Sequence, residues 1–184
     1  NAPFLSQLAR GAVAFRPPIG AFRRLELENG GVDLKKGGIA PIQGLARVWA
    51  LDAGARATPT VDRLRAATAA GLLDPESGEA LEEAYVFLLG LRLREQIRAL
   101  SEERAPGNHV AVDALSPSER RHLKEAFLAV RNAQKDAIAR YMKAYRETVD
   151  WMYSDPAALK TYAEFVGIPE ALAKRTRDEF FPKA

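Results

Sequence analysis

Residues 116–152 read SPSERRHLKEAFLAVRNAQKDAIARYMKAYRETVDWM, and this stretch decides the fold class. Ser116 and Glu119 stand three apart with Pro117 in the first turn, so hydroxyl and carboxylate can each take up a free backbone N–H at a helix start. Behind this cap Leu123, Phe127, Val130, Ala137, Tyr141, Tyr145 and Met152 recur at helical spacing. One helix can therefore run for more than ~30 residues, about 45 Å at 1.5 Å per residue.

Toward the N-terminus the loop SEERAPGNHVAVDAL precedes the cap, and before it Asp74-Pro75 opens another long helix. Its segment AYVFLLGL is apolar on all sides, the pattern of a central, nearly enclosed helix. A shorter helix with Val61, Leu64 and Ala67 is expected, capped by Thr60 or Thr58 and stopped at Gly71. From Ile39, with Pro41 in its first turn, Ile42, Leu45, Ala46, Trp49 and Ala50 predict a helix up to Gly54. Spacing over residues 3–15 predicts one more, broken by Arg16-Pro17-Pro18. Two short helices follow Asp155-Pro156 and Pro169. With β-branched alternation scarce, the fold class is all-α: a helical bundle with long central helices and an irregular Gly/Pro-rich N-terminal corner.

The 184 residues suffice for one good-sized domain, or one with an appendage. No run approaches the ~18 apolar residues that span a bilayer, and the first residues lack the basic-then-apolar design of an export signal. The chain begins with Asn1, which suggests an internal piece of a longer protein, and has no cysteine, which fits a reducing compartment. Residues 1–50 hold seven Lys or Arg against three acids, a net +4, so the remainder of the +3 chain sums to −1. That asymmetry suggests an anionic partner for the first third, or simply a solvated basic face.

Catalytic groups do not converge. His109 and His122 have no metal-ligand companion at i+4, and Glu82-Glu83 and Glu102-Glu103 are adjacent pairs that point apart on a helix. Glu26 and Glu28 can face one side of an extended segment, yet the Gly-Ser loop and helix that hold nucleotide phosphates in transferases are missing upstream of them. The chain alone is expected to bear no catalytic residue, metal or cofactor. The stronger signal is basic. Arg16, Arg23, Arg24, Lys35 and Lys36 crowd a glycine-rich segment ahead of the helix start at Ile39–Pro41, a combination that can bind phosphate. Its alternative is a glycine corner that lets helices pack while the lysines face water. Arg92 falls on the inward stripe of its helix, and needs a partner such as Asp33 or a ligand anion.

Four motifs in order, RPPIGAFRR, GGVDLKKGGIAPIQGLARVWAL, EAYVFLLGLRLREQIRAL and LSPSERRHLKEAFLAVR, closely resemble the C-terminal helical domain of CBS-domain-associated nucleotidyltransferases, relatives of the PII-protein uridylyltransferase. The resemblance covers residues 1–134. It implies a substrate-binding domain of a cytoplasmic signalling protein. A catalytic nucleotidyltransferase domain, with Mg and a nucleoside triphosphate, and CBS or cyclic-nucleotide-binding modules would lie in cis. It further implies that Arg16, Asp33, Lys35, Arg47, Arg92 and Arg94, with the corner Pro41, shape the cleft facing the nucleotide; Arg23 and Lys36 of the basic segment complete the expected substrate-binding set. No membrane or direct nucleic-acid contact is expected. Residues 135–184, read as a continuation of the last long helix plus a helical tail, resemble instead the C-terminal helices of periplasmic substrate-binding proteins of the nitrate and thiamine-precursor type. A second reading of the whole chain is an interaction module that docks a regulatory domain or forms a homodimer.

Overall fold

The computed structural model describes residues 2–182, with side chains from residue 7 onward except that of residue 21. Seven α-helices carry the described chain: α1 Ala2–Val13, α2 Ala40–Asp52, α3 Thr60–Ala69, α4 Pro75–Ser101, α5 Pro117–Ser154, α6 Pro156–Val166 and α7 Glu170–Phe180. The all-α bundle expected from the periodicity is the fold found. Two three-residue strands, β1 Gly31–Asp33 and β2 His109–Ala111, add a small antiparallel ladder in which Val32 faces Val110. No helix among the described residues is long and apolar enough to cross a membrane.

Local chemistry sets the boundaries. Asp74 caps α4 by accepting from the Ser77 N–H at 2.9 Å, and Ser116 and Glu119 exchange the reciprocal bonds of a capping box ahead of α5. Asp155 caps α6, and Gly167 ends it in the left-handed region. At α3 neither threonine caps: Pro59 holds the N-cap position without a side-chain bond, and Thr60 is already helical.

Two compact units divide the chain, residues 1–135 and 136–184. In the first, α1 packs on α2, α2 on α3 and α3 on α4. Its core is built on Leu34, Ile42, Leu64, Leu81, Leu88, Leu123 and Phe127, all essentially inaccessible. Gln134, buried on α5, donates from Nε2 to the carbonyls of Ala12 and Phe15 at 3.0 and 2.8 Å, satisfying the end of α1. Contrary to the all-round apolar reading of α4, that helix is not enclosed. Leu81, Ala84, Leu88 and Leu91 are buried, but Val86, Leu93, Ile97 and Leu100 are exposed.

In the second unit the stripe of α5 is buried only at Met152, while Tyr141 and Tyr145 are exposed. Ala158, Ala163 and Ala173 supply small buried contacts between α6 and α7. Arg177 stacks over the Tyr153 ring at 4.1 Å and donates to the Met152 carbonyl. Trp151 donates from its indole to Asp155 at 3.0 Å. These aromatics pack and cap rather than line a pocket.

Candidate functional site: a basic glycine corner

The stretch Gly30–Ile42 folds as a corner with three consecutive parts. First comes a tight hairpin turn. Glu28 and Gly31 exchange backbone bonds at 2.9 and 3.1 Å, and Asn29 and Gly30 between them both lie at positive φ, 50° and 76°. That is the geometry of the Asn-Gly hairpin turn, whose twist suits flanking strands. The strand β1 follows and is held on β2.

The second part is a wide helical turn, Lys35–Ile39, in which the Ala40 N–H reaches back to the Lys35 carbonyl. It runs straight into α2. The helix start therefore lies near Leu34, not at Ile39–Pro41 as the sequence suggested. Two of its leading donors are already used: Leu34 N–H bonds the Asn108 carbonyl at 2.9 Å, and Lys36 N–H bonds the Asp33 carboxylate at 2.8 Å. Anion binding by free N–H groups at Ile39–Pro41 has no geometric basis. The exposed charge at the turn is that of Lys35 and Lys36.

Gly37 and Gly38 make the wide turn possible. Both are buried. A Cβ on Gly37 would lie 2.7 Å from Cδ of Pro18 and 3.2 Å from Cε1 of Phe127, and one on Gly38 would strike Leu88. The turn thus presses its backbone against α4, α5 and the preceding segment, which leaves Lys35 and Lys36 on the outside, both exposed.

The third part is the segment that Gly37 contacts. Pro18–Glu26 forms a hairpin closed by Gly20 N–H to the Arg24 carbonyl at 2.8 Å and Glu26 N–H to the Pro18 carbonyl at 2.9 Å. At its tip Phe22 and Arg23 are consecutive left-handed residues, φ 57° and 56°, a conformation that costs roughly 1–2 kcal/mol for each side-chain-bearing residue. The tip displays Phe22, 93% exposed, with Arg23 and Arg24 beside it, also exposed. The Pro18 contact places this hairpin next to the Lys35–Lys36 turn, with Arg16 two residues from Pro18.

Arg92 is half-buried on α4. Its Nε donates to the side-chain oxygen of Asn108 at 2.6 Å, so the partner is a neutral amide and not Asp33, whose carboxylate caps the turn. Asn108 thereby joins three elements: its carbonyl holds Leu34, its side chain holds Arg92, and the next residue begins β2. The remaining expected residues lie apart. Arg47 is exposed two turns into α2, ~10 Å along the axis from Ala40. Arg94, two positions from Arg92 and so on another side of α4, pairs with Glu119. The Arg94 guanidinium, helped by the Ser116 backbone and hydroxyl donors, lowers the Glu119 carboxyl to about 2.

His109, read as a loop residue, stands on β2 with Nε2 at 2.9 Å from the Glu28 carbonyl. His122 is exposed and meets Phe87 edge-on at 5.6 Å. Among the described residues no group of three His, Cys, Asp or Glu converges on a metal position. A separate groove of about 710 Å³ between α3, α4 and α5 holds Glu82, Glu83 and Glu125. Its Arg65 is already taken by Glu82 at 3.0 Å. That surplus of carboxylates repels phosphates, so the groove does not compete with the corner for an anion.

The chain matches no curated protein and no solved structure. A family model described as "putative nucleotidyltransferase substrate binding domain" matches residues 2–141, which takes in the corner, α4 and the first part of α5. The chain belongs to that family.

Proposed function

We propose that residues 1–134 form the substrate-holding wall of a PII-uridylyltransferase-like signalling enzyme, with Lys35, Lys36, Arg16 and the Arg23–Arg24 tip facing the phosphates of the nucleotide or of its acceptor. The observation that carries this reading is the buried Gly37–Gly38 turn, which fixes two exposed lysines beside an arginine-bearing hairpin. Arg92 acts here as a positioning residue through Asn108, and Asp33 by capping the turn. Arg47 and Arg94 flank the cluster and contribute at most long-range field.

In this reading the catalytic carboxylates, the magnesium ion and the nucleoside triphosphate belong to a nucleotidyltransferase domain in cis, accompanied by CBS or cyclic-nucleotide-binding modules in the cytoplasm. The chain's own task is to bind and orient. The test is nucleotide titration of the protein carrying both domains: replacing Lys35 and Lys36 by alanine should raise Kd and make its salt dependence shallower, whereas an unchanged Kd would remove the reading. Removing two charge-assisted phosphate contacts at an exposed site should cost about 1–2 kcal/mol, a loss of roughly 5- to 30-fold.

A further inference from the structure

Arg131 on α5 is a cation that the fold leaves without a proper acceptor. Among the described residues its Nε is the buried side-chain donor that is sealed from water and bonds nothing. Its guanidinium makes one polar contact, from Nη1 to the Gly20 carbonyl at 3.5 Å, at the outer limit of a hydrogen bond. None of the ion pairs among the described residues includes it. The hairpin Pro18–Glu26 holds one carboxylate, Glu26, which is exposed and lies against Gly20 without pairing with the guanidinium. Arginine keeps its charge when buried, and a sealed donor without an acceptor costs free energy. The position therefore calls for an acceptor from outside the described chain.

The surroundings say which acceptor. Phe127, one turn earlier on the same side of α5, lies against the Gly37–Gly38 turn, and Gly20 is two residues from Pro18, which meets Gly37. Arg131 thus joins the basic corner from α5, next to the segment with Arg23 and Arg24 and the turn with Lys35 and Lys36. It also closes the motif LSPSERRHLKEAFLAVR, in which the sequence assigned it no role. We propose that Arg131 grips a phosphate group of the substrate with its Nε–Nη2 edge. That edge faces away from the Nη1 contact, and its two parallel N–H bonds match two oxygens of one phosphate. Exposed lysines attract an anion but impose little geometry on it, whereas a guanidinium fork fixes its orientation. Because Nε is sealed in this conformation, the phosphate enters as Gly20 gives way, and a 3.5 Å contact resists that little. The inference rests on the substrate-holding reading above and names the side chain that sets where the phosphate sits.

The test is titration of the chain with inorganic pyrophosphate, followed through the arginine Nε–H resonances in nitrogen-15 spectra. The Arg131 signal is identified as the one lost in Arg131→Lys. It should move with saturation as pyrophosphate is added. Arg131→Lys, which keeps the charge and loses the fork, should weaken binding on the order of tenfold, as should Arg131→Gln, while Arg131→Lys melts near the unmodified chain. Lys35→Ala/Lys36→Ala is measured alongside. If that double variant weakens binding and the Arg131 variants do not, the proposal is overturned and the corner reading stands; if neither matters, both fail. A loss on Arg131 replacement alone upholds the proposal and removes the lysines from the reading. A purely structural role would show differently: Arg131→Gln and Glu26→Gln would lower the melting temperature non-additively and leave pyrophosphate affinity unchanged, which also overturns the proposal.

Discussion

Replacing Gly37 by alanine tests whether the corner is set by packing. A Cβ there lies 2.7 Å from Cδ of Pro18 and 3.2 Å from Cε1 of Phe127. Pro18 is a ring at the base of a hairpin whose carbonyl is bonded by Glu26 N–H, and Phe127 is fully buried, so neither neighbour can swing aside. Overpacking of this kind costs ~1–3 kcal/mol. Alanine in place of glycine in helical backbone returns ~0.5–1 kcal/mol. The net loss is about 1–2 kcal/mol, and at ~2–4 °C per kcal/mol for a chain of this length the melting temperature should fall by about 2–8 °C. Gly11→Ala supplies the control: on α1 a Cβ meets nothing within 4 Å, so the same backbone gain comes without a clash and the melting temperature should hold or rise. Thermal unfolding followed by far-UV circular dichroism reads both. A Gly37→Ala protein that melts at or above the wild type refutes the packing account of the turn.

Glu119 gives a pH test. Its carboxyl is held down to about 2 by Arg94 and Ser116, below the ordinary value near ~4.3. Its contribution is therefore fully present above pH ~4.3 and fades as pH falls toward 2, because between those values the unfolded chain takes up a proton that the folded state does not. Glu119→Gln should be less stable than wild type at neutral pH, with the gap closing over that window in denaturant titrations; a gap constant with pH contradicts it. Asn108→Ala should destabilise by ~1–2 kcal/mol because it orphans Arg92 Nε, whereas Asn108→Asp should keep the bond as an ion pair and retain most of the stability. Equal losses from the two variants would mean that Arg92 is not the partner that matters.

The parts of this fold legible in the sequence are those that local chemistry decides. Ser116-Pro117-Ser118-Glu119 announces α5, Asp74-Pro75 announces α4, and Gly71 and Gly167 mark helix ends, since each acts within a few residues. The ladder between Val32 and Val110 was not legible: three-residue strands show no periodicity, and their pairing closes a loop of nearly eighty residues. Asn29-Gly30 was nevertheless a readable hairpin signal. The wide turn at Lys35–Ile39 runs against glycine's poor helix propensity and exists because Pro18, Leu88 and Phe127 occupy the space side chains would need. Burial of α4 was overread for a related reason, since an all-round apolar pattern says that a helix has faces to cover and not what covers them. In the candidate site the charges were visible but their neighbours were not. Asn108, a polar loop residue with no motif, takes Arg92, and Glu119 takes Arg94.

The most direct test of the central claim is isothermal titration of a nucleoside triphosphate into the protein bearing this domain and its catalytic domain, comparing wild type with Lys35→Ala/Lys36→Ala. Lys143→Ala, on an exposed lysine of the second unit, controls for loss of net charge. The account predicts roughly tenfold weaker binding for the corner variant and wild-type binding for Lys143→Ala. Equal affinity in all three proteins would contradict it.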